Sequence, residues 1–464
     1  MFIGRKEELL ELHQLLNSKR FESVLIYGRR RIGKTELIRE SVKNHSGKVI
    51  YFEAKKSIFP DNLRELQTIV QSVFQINYEF RSFYDLCAYL FNASEESPII
   101  LIIDELPYLI NSNPSVISDL RNLIDTYRGH SSAKFIVSGS YIDIMKRLIE
   151  SDSEIYGRFS HIIPLQPFDY YDASAFYPDY SPEDKLLMYA CFGGVAFFNS
   201  LADPDLSAKD NILNLLIKKN SILQLEIENT IANETNKIPQ MNSIIGLIGE
   251  GYTKYSQLTS ILRTRTGKDI NVDYPLRRLL EMEILRKETP INDPSNKKRT
   301  FYRFNDHLIE FYYRFIFPNA SSNSILSPDS FYKMFVEKEM AEHYLPYIFE
   351  EAAKEFLIRI NRKGMIQPPF YNIGTYSYND ALQKRNIQFD AVTEDENGYI
   401  SYECKYKNQP IGDTVIYQEE VQRNYADMNI YKLGFISRNG FSGNPDPEKY
   451  NLYTLNDFYS LPDQ

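Results

Sequence analysis

The sequence predicts an α/β protein that contains a parallel sheet, and three patterns along the chain predict it. Residues 23–27 are mostly apolar and lead into a glycine-rich loop, after which residues 36–42 have the spacing of a helix. Residues 99–103 form a continuous apolar run, which is typical of a strand buried on both faces of a parallel sheet. Residues 386–392 and 399–406 alternate between apolar and polar side chains, as the two strands of a hairpin do.

The glycine-rich loop fits the phosphate-binding pattern G-x-x-x-x-G-K-[ST]. Glycines allow the backbone N–H groups to curl around phosphate oxygens, and the start of the following helix adds the positive end of its dipole. Lys34 is expected to reach the β- and γ-phosphates, and Thr35 is expected to hold Mg²⁺. The sequence therefore predicts ATP and Mg²⁺ as ligands. The predicted nucleotide-binding residues here are Gly28, Arg29, Arg30, Arg31, Ile32, Gly33, Lys34, Thr35 and Glu36.

Two acidic residues, Asp104 and Glu105, end the apolar run. Charged groups are rarely buried without a partner, so two acids at the end of a buried strand indicate a functional site. We expect Asp104 to hold Mg²⁺ together with Thr35, as a Walker B aspartate does, and Glu105 to polarise the attacking water. The alternative is a solvated strand end.

Two further candidates follow the next strands. Residues 134–140 form a short apolar run that ends in small polar residues, and a hydroxyl there is expected to contact the γ-phosphate. Ser140 is the first candidate and Ser138 the second, while an ordinary strand-to-turn serine is the alternative. Arg158 is a candidate for stabilising the charge of the transferred phosphate, with a surface ion pair as its alternative.

These motifs resemble the archaeal-type ATPase family, whose relatives are the AAA+ and STAND NTPases, over about the first 200 residues. In that group the Gly-Arg near the N-terminus lies by the adenine, which implies a nucleotide-binding role for Gly4 and Arg5. The family usually has a proline where this chain has Ala196, after Gly193-Gly194-Val195, and this departure weakens the inference that the segment senses nucleotide as in its relatives. The motifs that carry the resemblance are Ile3-Gly4-Arg5, Tyr27–Thr35, Asp104-Glu105, Ser138-Gly139-Ser140, Tyr156-Gly157-Arg158 and Pro164-Leu165.

At 464 residues the chain is long enough for about three domains. The predicted fold is a P-loop NTPase parallel sheet with a helical lid, a winged helix and a C-terminal α/β domain like that of restriction endonucleases. The polar, small-residue stretch that begins at Asn319 predicts a linker. The predicted domains are residues 1–175 (ATPase core), 176–236 (lid), 237–318 (winged helix), 319–335 (linker) and 336–464 (nuclease-like domain).

The winged helix is predicted from three short helices and two strands after Pro239. Residues 240–304 contain 12 Lys or Arg and 7 Asp or Glu, although the whole chain has a formal charge of −9. Such a domain places its third helix in the major groove of double-stranded DNA. Many winged helices instead mediate protein contacts, and that alternative stays open. The candidates for phosphate contact are Arg263, Arg265, Lys268, Arg277, Arg278, Lys297, Lys298 and Arg299.

In the C-terminal region, strand parity puts Asp390 on the polar face of one strand and Glu403 with Lys405 on the polar face of the next. Two carboxylates and a lysine suit metal-dependent phosphodiester hydrolysis, while a cross-strand salt bridge is the simpler alternative. The spacing resembles the PD-(D/E)xK nuclease motif, and archaeal-type ATPases often carry Glu-Cys-Lys in this place. The resemblance implies that Glu350, on the preceding helix, is a third acid. The predicted metal ligands are Glu350, Asp390 and Glu403.

Three functions are compatible with the sequence: an ATP-driven DNA-processing enzyme, a nucleotide switch with a non-cleaving nuclease-like domain, and a protein-interaction ATPase. Three widely spaced cysteines argue against a disulfide framework, and the N-terminus has no apolar signal segment. We therefore expect a cytoplasmic chain that does not enter a membrane. A homo-oligomer or a protein partner is left open.

Overall fold

The computed structural model describes residues 2–235, 239–380 and 385–461. It divides into two compact units. The first consists of the chain up to Pro167 together with Val195–Phe197, and the second of Phe168–Gly194 and the chain from Phe198 onward. The predicted boundary between residues 236 and 237 lies outside the described residues.

The first unit contains a five-stranded parallel sheet in the order β2-β3-β4-β1-β5. The predicted parallel sheet is therefore confirmed. All six residues of β3 are buried, including Asp104. Its alternate side chains enter two apolar cores, with Leu101 on one face and Ile102 on the other, because helices cover both faces. The strands are β1 (Glu22–Tyr27), β2 (Lys48–Glu53), β3 (Ile99–Asp104), β4 (Lys134–Gly139) and β5 (His161–Pro164).

Helices connect these strands and supply the residues that cover the sheet. The helix after the glycine-rich loop is amphipathic, since Leu37 and Ile38 are fully buried while Glu36 and Arg39 are exposed. The helices of this unit are α1 (Lys6–Leu16), α2 (Lys34–Val42), α3 (Phe59–Phe74), α4 (Phe83–Ala93), α5 (Leu106–Ser112), α6 (Val116–Tyr127) and α7 (Ile142–Arg147).

The second unit begins with helices, in the region predicted as a lid. They are α8 (Tyr170–Ser174), α9 (Pro182–Phe192), α10 (Ala196–Ser200, whose first two residues belong to the first unit), α11 (Ala208–Ile212) and α12 (Ile222–Thr235). A π-helical turn, Leu213–Ile217, follows α11.

Three helices and a two-stranded antiparallel hairpin come next, in the order expected of a winged helix. They are α13 (Pro239–Gly249), α14 (Tyr255–Thr266), α15 (Asp273–Glu281), β6 (Leu285–Glu288) and β7 (Phe301–Phe304). The short helix α16 (His307–Phe311) begins at Asp306, whose side chain accepts a hydrogen bond from the Ile309 amide.

The predicted linker, residues 319–335, is wrong as an extended connection. It forms the helices α17 (Ala320–Ile325) and α18 (Pro328–Phe331) and the start of a π-helical turn, Tyr332–Val336. The Asn323 side chain is buried and donates a hydrogen bond to the Ile217 carbonyl at 2.7 Å. Phe331 is fully buried as well, so this segment packs into the second unit.

The C-terminal part is a mixed five-stranded sheet in the order β12-β11-β10-β9-β8. The β8–β9 and β9–β10 pairs are antiparallel, while β10–β11 and β11–β12 are parallel. The elements are α19 (Glu337–Glu339), α20 (Leu345–Arg362), β8 (Asn372–Asp380), β9 (Arg385–Asp395), β10 (Gly398–Lys405), α21 (Asp413–Arg423), β11 (Ile430–Ser437), β12 (Tyr450–Thr454) and α22 (Leu455–Tyr459). From α20 to β11 the elements follow the order helix, three strands, helix, strand.

Among the described residues, no helix combines the length and apolar character that crossing a membrane requires. Cys87, Cys191 and Cys404 are buried free thiols. The absence of a disulfide among them agrees with the prediction from their spacing.

Candidate functional site

Backbone geometry explains the two glycines of the phosphate-binding loop. A Cβ atom at Gly28 would lie 2.4 Å from the Leu165 carbonyl oxygen, so the loop passes too close to the end of β5 for any side chain. Gly33 has φ +101°, a conformation that L side chains rarely adopt. The loop therefore turns tightly from β1 into α2 at these positions.

Lys34 lies across this loop at the start of α2. Its ammonium group donates hydrogen bonds to the carbonyl oxygens of Gly28 at 2.9 Å and Arg29 at 3.1 Å, and to the Ser140 hydroxyl at 2.8 Å. Burial lowers the pKa of Lys34 to about 8, although the negative charges of Glu105 and Asp104 act in the opposite direction. The lysine thus carries a poorly solvated charge at the place where phosphate is expected.

Asp104 ends β3 beside Lys34 and Thr35 and is almost completely buried. Its carboxylate accepts hydrogen bonds from Thr35 Oγ1 and Tyr51 Oη, each at 2.7 Å, and from the Ser138 hydroxyl. Burial alone would raise the pKa of Asp104, but these hydrogen bonds and the charge of Lys34 lower it. Asp104 is therefore held as a carboxylate, the form that binds a cation.

The adjacent residue, Glu105, has φ +54° and precedes the first residue of α5. This left-handed conformation turns its side chain toward β4, where it accepts hydrogen bonds from the Ser140 hydroxyl and, at 3.2 Å, from the Ser140 amide. Ser140 thus contacts both Glu105 and Lys34, whereas Ser138 contacts Asp104. The two serine candidates have different partners in the same site.

Thr35 and Asp104 fit a bound Mg²⁺. A hydroxyl and a carboxylate lie side by side at the start of the helix that follows the loop, and phosphate oxygens are the remaining ligands that Mg²⁺ takes in such sites. Tyr51, which also orients Asp104, was missed by the sequence analysis, because β2 carries no motif that marks this tyrosine.

Two of the predicted residues lie elsewhere in the first unit. The Glu36 side chain is exposed and forms an ion pair with Arg39 at 3.6 Å, so only its backbone faces the loop. Arg158 forms an ion pair with Asp125 at 2.9 Å, and its carbonyl accepts a hydrogen bond from Ser23, at the beginning of β1. The six residues of β1 separate the two edges of the sheet by roughly 15 Å. Arg158 is therefore not in the nucleotide site of its own chain, and the prediction of a catalytic role there is wrong in geometry.

Arg5 connects the N-terminus to the loop. Its guanidinium donates hydrogen bonds to the carbonyl oxygens of Gln166 at 2.5 Å and Ile32 at 3.4 Å, and it pairs with Glu8 at 3.2 Å. Gly4, with φ +68°, precedes it in a left-handed turn. These contacts hold the start of α1 against the loop and the end of β5.

A segment without a predicted role, Val195–Phe197, also packs against the loop. The Phe197 amide donates a hydrogen bond to the Arg31 carbonyl at 3.3 Å, and the Arg31 guanidinium lies 4.3 Å from the centre of the Phe197 ring. Ala196 stands where the family usually has proline. A Cβ atom added to Gly33 would lie 3.7 Å from the Cβ of Ala196. The loop therefore contacts this segment even without the proline.

The C-terminal candidates come together in the second unit. Asp390 Oδ2 accepts a hydrogen bond from the Cys404 amide at 2.9 Å, and the carboxyl groups of Asp390 and Glu403 are hydrogen-bonded to each other. Lys405 forms an ion pair with Glu403. Strands β9 and β10 therefore place these three side chains on the same face, as strand parity predicted.

Further acids surround this group, which we call the carboxyl cluster (Glu350, Asp390, Glu403 and Glu419). Burial, followed by the charge of Asp390, raises the pKa of both Glu350 and Glu403 to about 8. Burial also raises the pKa of Glu419, on α21, to about 7 against the effect of Lys405. The sequence analysis missed Glu419, because a helical acid in a polar segment has no distinguishing pattern.

The carboxyl cluster does not fit a metal ion as it stands. In the part of the chain that the structure describes, no group of three or more His, Cys, Asp or Glu side chains has the arrangement of a metal site. Lys405 pairs with Glu403, two residues before it on β10, and the carboxyl groups of Asp390 and Glu403 are hydrogen-bonded to each other. This ion pair lies within one strand, so it is not the cross-strand salt bridge of the alternative.

The next residue of α20, Glu351, belongs to a different set of charges. It pairs with Arg286 of β6 and with Lys354, and these cations lower its pKa to about 2 although burial alone would raise it. Lys354 also lies 3.9 Å from Glu288. Helix α20 therefore carries the acid of the carboxyl cluster on one side and ion pairs with the β6–β7 hairpin on the other.

The loop between β6 and β7, which carries the basic candidates Lys297, Lys298 and Arg299, is docked on the edge strand β8. The Ile291 amide donates to the Thr375 carbonyl at 2.7 Å, and both Asn292 and Arg299 donate to the Ser377 carbonyl. Arg299 is thus used within the chain. This contact covers an exposed sheet edge that would otherwise offer unpaired backbone groups.

Four of the other basic candidates, all of them arginines, lie close to carboxylates. The pairs are Arg263 with Asp269 at 3.3 Å, Arg265 with Glu250 at 2.6 Å, and Arg277 and Arg278 with Glu281 at 3.8 Å and 2.5 Å. Arg277 is the more accessible of the last two, with 67% of its side chain exposed against 18% for Arg278. On α15 the cation most available to a partner is therefore Arg277.

Two protein-family models match the chain. Residues 2–196 match a model described as "ATPase domain predominantly from Archaea". Residues 312–423 match a model described as "Archaea bacterial proteins of unknown function". Residues 2–196 are thus similar to an ATPase domain, and the description of the C-terminal match names no activity.

Individual relatives agree with this division. An uncharacterized protein of Methanocaldococcus jannaschii is 28% identical over 429 residues, which are 92% of this chain and 91% of that protein. An uncharacterized ATP-binding protein of the same organism is 46% identical over 44 residues, 10% of this chain and 75% of that protein. The solved Walker-type ATPase of Pyrococcus abyssi has a TM-score of 0.52 and 19% identity, covering 68% of this chain and 96% of that one. That likeness shows the fold alone.

Proposed function

We propose that this chain is a Mg²⁺-dependent ATP hydrolase whose nucleotide state is coupled to the binding of double-stranded DNA, and that its C-terminal sheet is a nuclease-like domain. The hydrolase rests on one observation above all. Ser140 connects Lys34 to Glu105, and this group lies beside the Thr35–Asp104 pair at the carboxyl ends of β3 and β4. The likeness of a short part of the chain to an ATP-binding protein supports ATP as the nucleotide.

Each residue of this group has a role in the reaction. Lys34 binds the β- and γ-phosphate oxygens. Glu105 accepts a proton from a water molecule as the water oxygen bonds to the γ-phosphorus. The bond between the γ-phosphorus and the bridging oxygen breaks, and ADP departs with that electron pair. Mg²⁺, when it is held by Thr35 and Asp104, neutralises charge on the phosphates.

Calorimetry and a phosphate-release assay test the hydrolase. We expect Lys34→Ala to lose most of its affinity for ATP, because the other cations of the loop do not replace a buried ammonium at this position. We expect Glu105→Gln to bind ATP but to hydrolyse it ~10²–10⁴-fold more slowly, the usual effect of losing a positioned general base. Unchanged ATP binding by Lys34→Ala, or unchanged turnover by Glu105→Gln, would contradict the proposed hydrolase site.

The DNA component rests on the local basic surplus of residues 240–304 and on the exposed Arg277 of α15. Exposed ion pairs contribute only about 0–1 kcal/mol, so a phosphate can replace Glu281 as the partner of Arg277. Carboxylates pair with each of Arg263, Arg265, Arg277 and Arg278, and the β6–β7 loop is docked on β8. Both observations favour the alternative of protein contacts. A DNA-binding assay at low and high salt separates the two.

For the carboxyl cluster we derive no reaction step, since its side chains do not fit a metal ion as arranged. The convergence of Glu350, Asp390 and Glu403 keeps phosphodiester cleavage as a candidate activity, and the Lys405–Glu403 pair favours the alternative of a non-cleaving domain. Incubation of the protein with plasmid, Mg²⁺ or Mn²⁺, with and without ATP, decides between them. Cleavage lost in both Asp390→Asn and Glu403→Gln supports a nuclease; an intact plasmid with the parent rules it out.

A further inference from the structure

We propose that Arg30, in the phosphate-binding loop, is the catalytic cation that compensates the charge on the phosphoryl group during ATP hydrolysis. The inference rests on the proposed hydrolase function and adds a residue to it. It follows from where the guanidinium lies, which partner holds it and what the other arginines of the first unit contact.

The position of Arg30 places its side chain over the catalytic edge of the sheet. Its Nη2 atom lies 3.4 Å from Tyr108 Oη. Tyr108 is in the first turn of α5, and its amide donates a hydrogen bond to the Glu105 carbonyl at 3.0 Å. The guanidinium therefore lies beside a tyrosine in the first turn of α5, the helix that follows Glu105.

An aromatic pair continues this surface. Tyr141 follows Ser140, and its ring meets the Tyr108 ring edge-on at a centroid distance of 5.7 Å. The positive charge of Arg30 contributes to lowering the pKa of Lys34 and opposes the rise in the pKa of Tyr141. Arg30 is thus close enough to Lys34 and Tyr141 for its charge to act on both, and Lys34 is the residue expected to bind the γ-phosphate.

The partner of Arg30 is the phenol of Tyr108, whereas carboxylates pair with Arg158 and Arg5. Arg158 is paired with the carboxylate of Asp125 at the opposite edge of the sheet. Arg5 donates to backbone carbonyls, and Arg31 lies over the Phe197 ring. A guanidinium held by a phenol keeps its full charge and can turn to a phosphate without leaving a carboxylate unpaired.

The reaction explains why a guanidinium is needed there. As the water oxygen bonds to the γ-phosphorus and the bond to the bridging oxygen breaks, negative charge spreads over the γ-phosphate oxygens and the departing ADP oxygen. The planar fork of arginine donates two parallel hydrogen bonds to such oxygens, which a lysine cannot do. A cation in this role is worth about 10³–10⁵-fold in turnover.

Steady-state kinetics and calorimetry test the assignment on the full chain. We expect Arg30→Ala to reduce kcat by at least ~10³-fold while the Kd for ATP changes only a few-fold. Arg30→Lys should recover only a small part, because the fork geometry is lost. Arg64→Ala is the matched control: this arginine is exposed on α3 and pairs only with Asp61, so its removal should leave kcat and Kd unchanged.

A transition-state analogue gives a second measurement that does not depend on turnover. ADP with aluminium fluoride mimics the phosphoryl group in flight, so Arg30→Ala should weaken its binding strongly while binding of ADP alone is retained. Retained ADP binding also shows that the variant is folded.

The possible failures are distinct. If the parent neither hydrolyses ATP nor binds the analogue more tightly than ADP, the proposed function fails and takes this inference with it. If the parent does both, and Arg30→Ala keeps its kcat or its affinity for the analogue, only the role of Arg30 is wrong. Equal losses of affinity for ADP, ATP and the analogue, with kcat unchanged, would also overturn it, since Arg30 would then serve binding alone.

Discussion

The hydroxyl of Ser140 lies 2.8 Å from the ammonium nitrogen of Lys34 and donates a hydrogen bond to the Glu105 carboxylate. One side chain thus fixes the position of both the cation that binds phosphate and the base that activates water. The two groups belong to different strand ends, so the serine sets their separation.

Ser140→Ala should therefore impair turnover more than binding. Lys34 keeps two carbonyl partners, so ATP affinity should change little, whereas Glu105 loses its hydroxyl donor and its orientation. We expect kcat to fall by roughly 10- to 100-fold, the effect seen when a group that orients a reactive residue is removed. Phosphate release at saturating ATP measures it.

Ser138→Ala provides the matched control, because this hydroxyl donates to Asp104 instead. Its removal should raise the Mg²⁺ concentration needed for ATP binding and leave kcat at saturating Mg²⁺ close to that of the parent. If Ser140→Ala turns over at the parental rate, Glu105 is positioned by other contacts.

The nucleotide site shows what a sequence can and cannot predict. Parallel strands carry their carboxyl ends to one edge, so Asp104 and Ser140 follow from their places after apolar runs. Arg158 looked equivalent because it also lies next to a strand, but it precedes β5 and therefore lies at the amino-terminal edge. Side-chain partners such as Tyr51 leave no trace in the spacing of residues.

The second unit shows a different limit. The small polar residues from Asn319 onward have the composition of a linker, and composition does not reveal that Asn323 satisfies a buried carbonyl. The strand parity of β9 and β10 was predictable because it depends on local alternation alone. Whether the converging acids would hold a metal or Lys405 depends on distances that no pattern encodes.

Truncation after Asn319 should consequently give an unstable fragment. Removing the following helices exposes the surface covered by Phe331 and removes the shorter of the two hydrogen bonds to the Ile217 carbonyl, which keeps the one from Gln224 at 3.3 Å. We expect fragment 1–319 to aggregate where the full chain stays monodisperse in size-exclusion chromatography.

Two point variants refine this test. Asn323→Ala should lower the free energy of unfolding by about 0.5–1.5 kcal/mol, the net contribution of one hydrogen bond, because the Ile217 carbonyl keeps its bond from Gln224. Ile325→Ala, two residues on, should change it by less than about 0.5 kcal/mol, because 82% of Ile325 is exposed. If fragment 1–319 is well folded, or if the two variants have equal effects, the prediction that residues 319–335 are a linker would be supported.

Glu281 should control DNA binding through the arginines that it neutralises. Glu281→Gln removes a negative charge and releases Arg277, so we expect tighter binding of double-stranded DNA at low salt. Arg277→Ala should weaken binding and reduce the slope of log K against log salt by about 0.9, the value for one phosphate contact. Arg278→Ala should matter less, since its side chain is largely buried. Fluorescence anisotropy at several salt concentrations measures these effects, and a parent without salt-dependent binding would favour the protein-contact alternative.

The neighbouring residues Glu350 and Glu351 should respond to pH in opposite ways. The pKa of Glu350 is raised to about 8 by burial and by Asp390, so the folded state holds its proton more firmly than the unfolded state does. Its contribution to stability is therefore complete below about pH 4.5 and is lost as the pH rises toward 8. Glu350→Gln stays neutral, so at pH 8 it should be more stable than the parent, by roughly 1–3 kcal/mol.

Glu351 has the reverse linkage, because Lys354 and Arg286 lower its pKa to about 2 against the effect of burial. Its contribution is present above about pH 4.5 and is lost as the pH falls toward 2. Glu351→Gln removes the carboxylate that pairs with both Arg286 and Lys354, although Lys354 still has Glu288 at 3.9 Å, and should cost roughly 3–5 kcal/mol at pH 7. Urea unfolding at pH 5, 7 and 8 measures both variants. If Glu350→Gln is less stable than the parent at pH 8, then Glu350 is ionised and paired with Lys354. Fewer acids of the carboxyl cluster would then be protonated than their burial favours.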